Sequence, residues 1–259
     1  MELIKLKEQI YTIPVNEAFD EKCGCPFCNL YLKLEKNRVE YTLGASMMEP
    51  DARILSNSMG FCTKHFDMLL KIPNKLSLAL VLDTHLQEVR KKISANKSIV
   101  ENGKKKGLFS KGESAGEKLA GTLDVIESTC VICSQITETM NRYSEVFFYM
   151  FENDNNFKKK FDETPYFCLS HYKMLVRDAT KYLSSSAYES FIKTLFEKQE
   201  KAFEALNEDV HKFTLKFDYR NKDMPWGTAK TAPKRCVYAL GSQMYPDDEM
   251  TNENVEEND

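Results

Sequence analysis

The sequence predicts an all-α protein made of two tandem, pseudo-repeated helical modules. Each module is organised around a Cys3His metal site, and a long helix follows the second. Three observations predict this. Apolar residues recur at spacings of three and four along the chain, one cysteine–histidine pattern occurs twice, and a long apolar stripe lies downstream of the second copy.

The first module is expected over residues 1–94. Phe27, Leu30, Tyr31 and Leu34 mark a helix that starts at a C-x-x-C motif and ends near Gly44. A loop around Glu49, Pro50 and Asp51 leads to a short helix and then to Gly60, Phe61 and Cys62. The next helix carries His65, Phe66 and Leu69. Pro73 interrupts it, and Asn74 is placed to cap another. Leu78, Val81, Leu82, His85, Leu86 and Val89 carry that helix to about Ser94.

Residues 95–121 read as a flexible linker. They hold Gly103, Gly107, Gly112, Gly116 and many lysines. The run from Lys104 to Phe109 suits a solvated tether better than a contact with an anionic surface. The second module is expected over 122–220. Ile132, Ile136, Met140, Tyr143, Phe147 and Met150 mark its first helix, and Cys168 and His171 open a second that ends near Leu183. A long helix from about Ser186 to Phe217 presents Phe191, Leu195, Phe196, Phe203, Leu206, Val210 and Phe213. Residues 221–245 read as a loop region around the single tryptophan, Trp226, and 246–259 as a disordered acidic tail.

The repeated pattern carries the chemistry. Its first copy is Cys25 and Cys28 followed by Cys62 and His65; its second is Cys130 and Cys133 followed by Cys168 and His171. Cys28 precedes Cys62 by 34 positions, and Cys133 precedes Cys168 by 35. Zinc takes four tetrahedral ligands, usually thiolates and imidazoles. Two residues three apart at a helix start share one face, and the free N–H groups there stabilise thiolates. Pro26, and Ser128 with Thr129, fit such starts. Two zinc ions, one per module, are therefore expected, with iron or an iron–sulfur cluster as the rival. Cys23, Cys236, His85 and His211 fall outside the pattern and read as incidental, although Cys23 lies close enough to serve as a spare ligand.

The net charge of −3 and the lack of a basic recognition helix argue against a nucleic-acid reader. Neither a signal-like stretch nor a membrane-length apolar run is evident. A cytoplasmic protein is expected, and in that reducing compartment disulfides do not account for eight cysteines. The cluster Asp218, Tyr219, Arg220 and Trp226 is a candidate ligand or partner site. The competing reading has Trp226 capping the core and Arg220 paired with Asp218.

The cysteine motifs, the stretch Gly44 to Asp51, the stretch Gly60 to His65, and the segment Phe217 to Asn221 with Pro225 to Gly227 resemble an uncharacterised family of bacterial cytosolic proteins. The likeness runs to about Leu240. It implies a helical fold and cysteine-rich sites and brings no activity with it. The function expected is a zinc-binding structural or interaction protein whose partner is another protein. The alternatives are a thiol-based redox or metal sensor and an iron-binding electron carrier or enzyme.

Overall fold

The computed structural model describes residues 2–21, 24–102 and 113–241. All regular structure among them is helical. From the N-terminus, α1 spans Glu2–Asp20, α2 Pro26–Leu43, α3 Pro50–Met59, α4 Thr63–Lys71, α5 Lys75–Ser94 and α6 Lys97–Asn102. Then come α7 at Ala115–Ser128, α8 at Val131–Asn153, α9 at Asn155–Glu163, α10 at Leu169–Tyr182, α11 at Ser185–Leu215 and α12 at Ala232–Gly241. Short 3-10 turns occupy Ala45–Met48, Tyr219–Asn221 and Gly227–Thr231.

The division into compact units differs from the tandem modules expected at 1–94 and 122–220. One unit joins Met1–Lys33 to Met140–Asp259, and the other is Leu34–Thr139. The second is thus inserted into the sequence of the first, and the chain crosses the boundaries within α2 and α8.

The discontinuous unit is built on phenylalanine. Phe27, Phe147, Phe148, Phe157, Phe161, Phe167 and Phe191 are all fully enclosed. Phe147 is the hub, with ring centroids 5.0 Å from Phe148, 5.5 Å from Phe19 and from Phe27, and 5.7 Å from Phe157. Offset and edge-on aromatic pairs add about 0.5–1.5 kcal/mol each beyond their buried area. This core joins α1, α2, α8, α9 and α11, and it holds the segment ahead of α10. Asp154 caps α9 by accepting from the Asn156 and Phe157 N–H groups.

The inserted unit has a smaller aliphatic core of Val39, Leu43, Leu69, Leu78, Val81 and Ile132, joined by Phe61. Asn74 caps α5 as expected. Its side chain accepts from the Ser77 N–H at 3.2 Å and donates to the Leu43 carbonyl at 3.1 Å. The expected linker at 95–121 is corrected, since α6 and the first half of α7 fall in it. The reason is local: Ser114 and Glu117 form a reciprocal capping box that starts α7. The lysine run Lys104–Phe109, Cys23 and the acidic tail lie outside the described residues.

Candidate metal centres

All eight donors named above converge, but with exchanged partners. One quartet is Cys25, Cys28, Cys168 and His171; the other is Cys62, His65, Cys130 and Cys133. In each, the four ligand atoms lie within 4.8 Å of one another. The expected groupings, Cys25–Cys28 with Cys62–His65 and Cys130–Cys133 with Cys168–His171, are not the ones formed. The physical reason is that proximity in sequence discriminates weakly. Closing a loop of 140 residues, the Cys28–Cys168 separation, rather than one of 34, costs only about 1.3 kcal/mol more in chain entropy. Burial of the phenylalanine core outweighs that readily. Each quartet therefore belongs wholly to one compact unit.

All four half-sites share one local design. Cys25, Cys62, Cys130 and Cys168 each stand immediately before a helix, and each carbonyl accepts the first helical hydrogen bond four residues on. Those bonds come from the N–H groups of Asn29, Phe66, Ser134 and Tyr172, at 3.4, 2.9, 3.0 and 2.8 Å. The second donor sits three residues into the turn, so both side chains project past the same helix end. Each quartet thus lies between two helix N-termini, where the dipoles and free N–H groups favour anionic sulfur.

In the first quartet, His171 Nδ1 lies 3.4 Å from Cys25 Sγ, 3.5 Å from Cys28 Sγ and 3.1 Å from Cys168 Sγ. The Sγ atoms of Cys28 and Cys168 are 3.4 Å apart. In the second, His65 Nδ1 lies 3.2 Å from Cys62 Sγ, 3.3 Å from Cys130 Sγ and 3.4 Å from Cys133 Sγ. The Sγ atoms of Cys62 and Cys133 are 3.8 Å apart. These sulfurs are far beyond disulfide bonding, which needs about 2.05 Å. A tetrahedron with metal–sulfur bonds of about 2.3 Å and metal–nitrogen bonds of about 2.0 Å has edges near 3.8 Å and 3.5 Å. The Nδ1–Sγ distances and the Cys28–Cys168 and Cys62–Cys133 separations lie near those edges, and the donor set fits a thiophilic dication.

Burial and mutual hydrogen bonding act unevenly on the thiols. Hydrogen bonds from Cys25 and Cys28 pull the Cys168 thiol well down. Burial pushes Cys25 up to about 12, and Cys28 is raised by its hydrogen bonds to Cys168 and Cys25 and by burial. In the second quartet, burial works to raise Cys130, but the hydrogen bonds to His65 and from the Cys133 N–H outweigh it and bring it to about 6. Burial and the neighbouring Cys130 push Cys133 to about 12. Burial works to lower His65, yet its bonds to Cys130 and Glu35 lift it to about 10. Three thiolates crowded together need positive charge, which a dication would supply.

Two buried polar residues brace these centres, and sequence reasoning missed both. Glu35 on α2, 3% exposed, accepts from His65 Nε2 at 3.2 Å and from Lys64 Nζ at 2.6 Å. It orients the imidazole so that Nδ1 faces the sulfurs. Gln199 on α11, 4% exposed, clamps the backbone of Phe167. It accepts from that N–H at 3.1 Å and donates to that carbonyl at 2.8 Å, fixing the residue just before Cys168. The available signal for Gln199 is a lone polar residue four positions after Leu195 on an apolar stripe.

His85, His211 and Cys236 stand outside the two quartets. His85 Nδ1 meets the Asn57 carbonyl at 2.9 Å, and its ring packs near Phe61 and Phe66. His211 is exposed on α11 and Cys236 is half-buried on α12. Arg220 pairs with Asp218 at 2.5 Å, as the competing reading expected. Trp226 packs on Phe213, with centroids 5.4 Å apart. Lys216 lies 5.2 Å from the Trp226 ring centroid and donates to the carbonyls of Asn221, Lys222 and Met224.

Fold and site together define an all-α protein with two Cys3His quartets that could hold metal ions, each assembled at paired helix N-termini. The chain belongs to DUF6062, a family of unknown function whose model matches residues 6–247. No curated protein and no solved structure matches it. Among the described residues, no single helix is long and apolar enough to cross a membrane.

Proposed function

We propose that this is a zinc-binding structural and interaction protein, with one zinc ion in each quartet. The observation that carries the reading is the convergence of three sulfurs and one imidazole nitrogen within 4.8 Å, twice, with edges of tetrahedral size. Four protein donors leave no open position for water or substrate, which favours a structural over a catalytic metal. The tight grouping favours a single ion over an iron–sulfur cluster, since a cluster needs room for further iron and sulfide atoms. In the first quartet the ion would tie α2 to α10 across more than a hundred residues of chain; in the second it would tie α4 to α8. The work of the protein would then be done on its surface, toward another protein. The exposed rings of Phe217 and Tyr219, beside the paired Asp218 and Arg220 and the packed Trp226, are the candidate contact. A reducing compartment such as the cytoplasm would keep the thiols available.

Metal analysis of the purified protein tests this directly. About two zinc ions per chain are expected, and their removal by a chelator should lower the melting temperature and helix content. Structural zinc is worth about 10–16 kcal/mol of apparent binding energy in small peptides. A metal-free protein with full stability overturns the reading, and a coloured, iron-containing anaerobic preparation replaces zinc with iron.

A further inference from the structure

The two quartets differ in who can reach their sulfur. In the first, Cys25, Cys28 and Cys168 are each at most 2% exposed, and the half-buried His171 is the member nearest solvent. The second reverses this. His65 is fully enclosed and Cys130 is 6% exposed, while Cys62 is half-buried and Cys133 is exposed. The two accessible sulfurs are neighbours, 3.8 Å apart. Oxidation of thiolates follows their exposure and the presence of a resolving thiol, so this asymmetry of access is an asymmetry of reactivity.

We propose that the second quartet is a peroxide-responsive site that releases its metal by forming a Cys62–Cys133 disulfide, while the first quartet retains its metal. The proposal rests on the metal reading above. The Cys133 thiolate attacks a hydroperoxide oxygen, the O–O bond breaks, and a sulfenic acid forms with loss of hydroxide or alkoxide. The Cys62 thiolate then attacks the Cys133 sulfur, the S–OH bond breaks, and a second hydroxide leaves. Two thiolates lose two electrons together, the peroxide gains them, and the two leaving groups each take a proton from the buffer acid. The ion is left with Cys130 and His65 alone, too few donors for a tight tetrahedral site. A thiol reductant reverses the disulfide and lets the ion rebind.

The test uses the 259-residue chain with Cys23→Ser and Cys236→Ser, so that the six quartet cysteines are its only thiols. Metal content is measured first, then hydrogen peroxide is added with a chromogenic zinc chelator present, and disulfides are mapped by peptide mass. The expected result is release of one ion per chain, a Cys62–Cys133 link, and recovery of binding after reduction. Release of both ions together or of neither overturns the proposal, as does a link among Cys25, Cys28 and Cys168 or between Cys130 and Cys133. A chain that is metal-free before oxidation defeats the metal reading instead. Alkylation then still tests the asymmetry of access: Cys62 should react about tenfold or more faster than the enclosed Cys25 and Cys28. Equal rates overturn it.

Discussion

Replacing Gln199 with leucine should weaken the first quartet without touching the second. The side chain fills a site that is 4% exposed, and its amide meets both the N–H and the carbonyl of Phe167. Leucine keeps much of the volume but leaves two backbone groups buried without partners. Each such group costs about 1–3 kcal/mol, so the substitution should destabilise by roughly 2–6 kcal/mol. For a chain of this size about 2–4 °C is lost per kcal/mol, which places the fall in melting temperature at about 4–24 °C. The site itself provides a second readout. Phe167 precedes Cys168, so the first quartet should give up its metal to a competing chelator faster, while the ion held by Cys62, His65, Cys130 and Cys133 leaves at the wild-type rate. Thermal melts and chelator kinetics on the loaded protein measure both. A shift under about 2 °C with unchanged kinetics refutes the claim that the clamp positions Cys168.

Three further outcomes are expected. Glu35→Gln removes the charge behind His65 Nε2, and metal affinity at the second quartet should fall about 10–100-fold in chelator competition, with the first unaffected. Gly60 has φ 64° and ψ −152°, and an added Cβ would lie 2.5 Å from the His85 ring, so Gly60→Ala should cost about 1–3 kcal/mol or more in denaturant unfolding. Its carbonyl also accepts from the Val131 N–H at 3.0 Å, so that backbone shift should loosen the start of α8. Arg235, 2.6 Å from Asp209, holds that carboxyl below its usual 3.8. Because the folded value is the lower one, the pair's contribution is fully present above the unfolded value and is lost as pH falls through the folded value. Asp209→Asn should therefore cost about 1–3 kcal/mol at neutral pH and progressively less toward pH 2, seen as a flatter acid limb in stability measured against pH.

Much of this molecule is legible in its residues. The eight donors follow from motif spacing, and α2, α5 and α11 follow from apolar periodicity with Pro26 and Asn74 as punctuation. α1 has no counterpart among the expected helices, and Pro14 lies inside it. Its helix persists where Val15, Ala18 and Phe19 are buried against the unit's core. α7 was hidden by glycines and lysines, though Ser114 and Glu117 spell a capping box within them. Ligand pairing was not legible, because two interchangeable half-sites of each kind satisfy the same chemistry. The packing of Phe27 against Phe147 and Phe167 accompanies the meeting of Cys25 and Cys28 with Cys168 and His171. Glu35 and Gln199 act through side-chain reach across helices, which spacing along one helix does not encode.

The insertion of Leu34–Thr139 within the other unit sets an order of birth for the two centres. On a ribosome, the quartet ending at Cys133 is complete before Cys168 exists. Cys25 and Cys28 are made first yet wait longest: at roughly 5–20 residues per second, the 140 positions from Cys28 to Cys168 take about 7–28 s. During part of that interval Cys62 and His65 have emerged while Cys130 has not. The nascent protein must hold its earliest cysteines in reserve, past a nearer and chemically equivalent pair, until the start of α10 arrives.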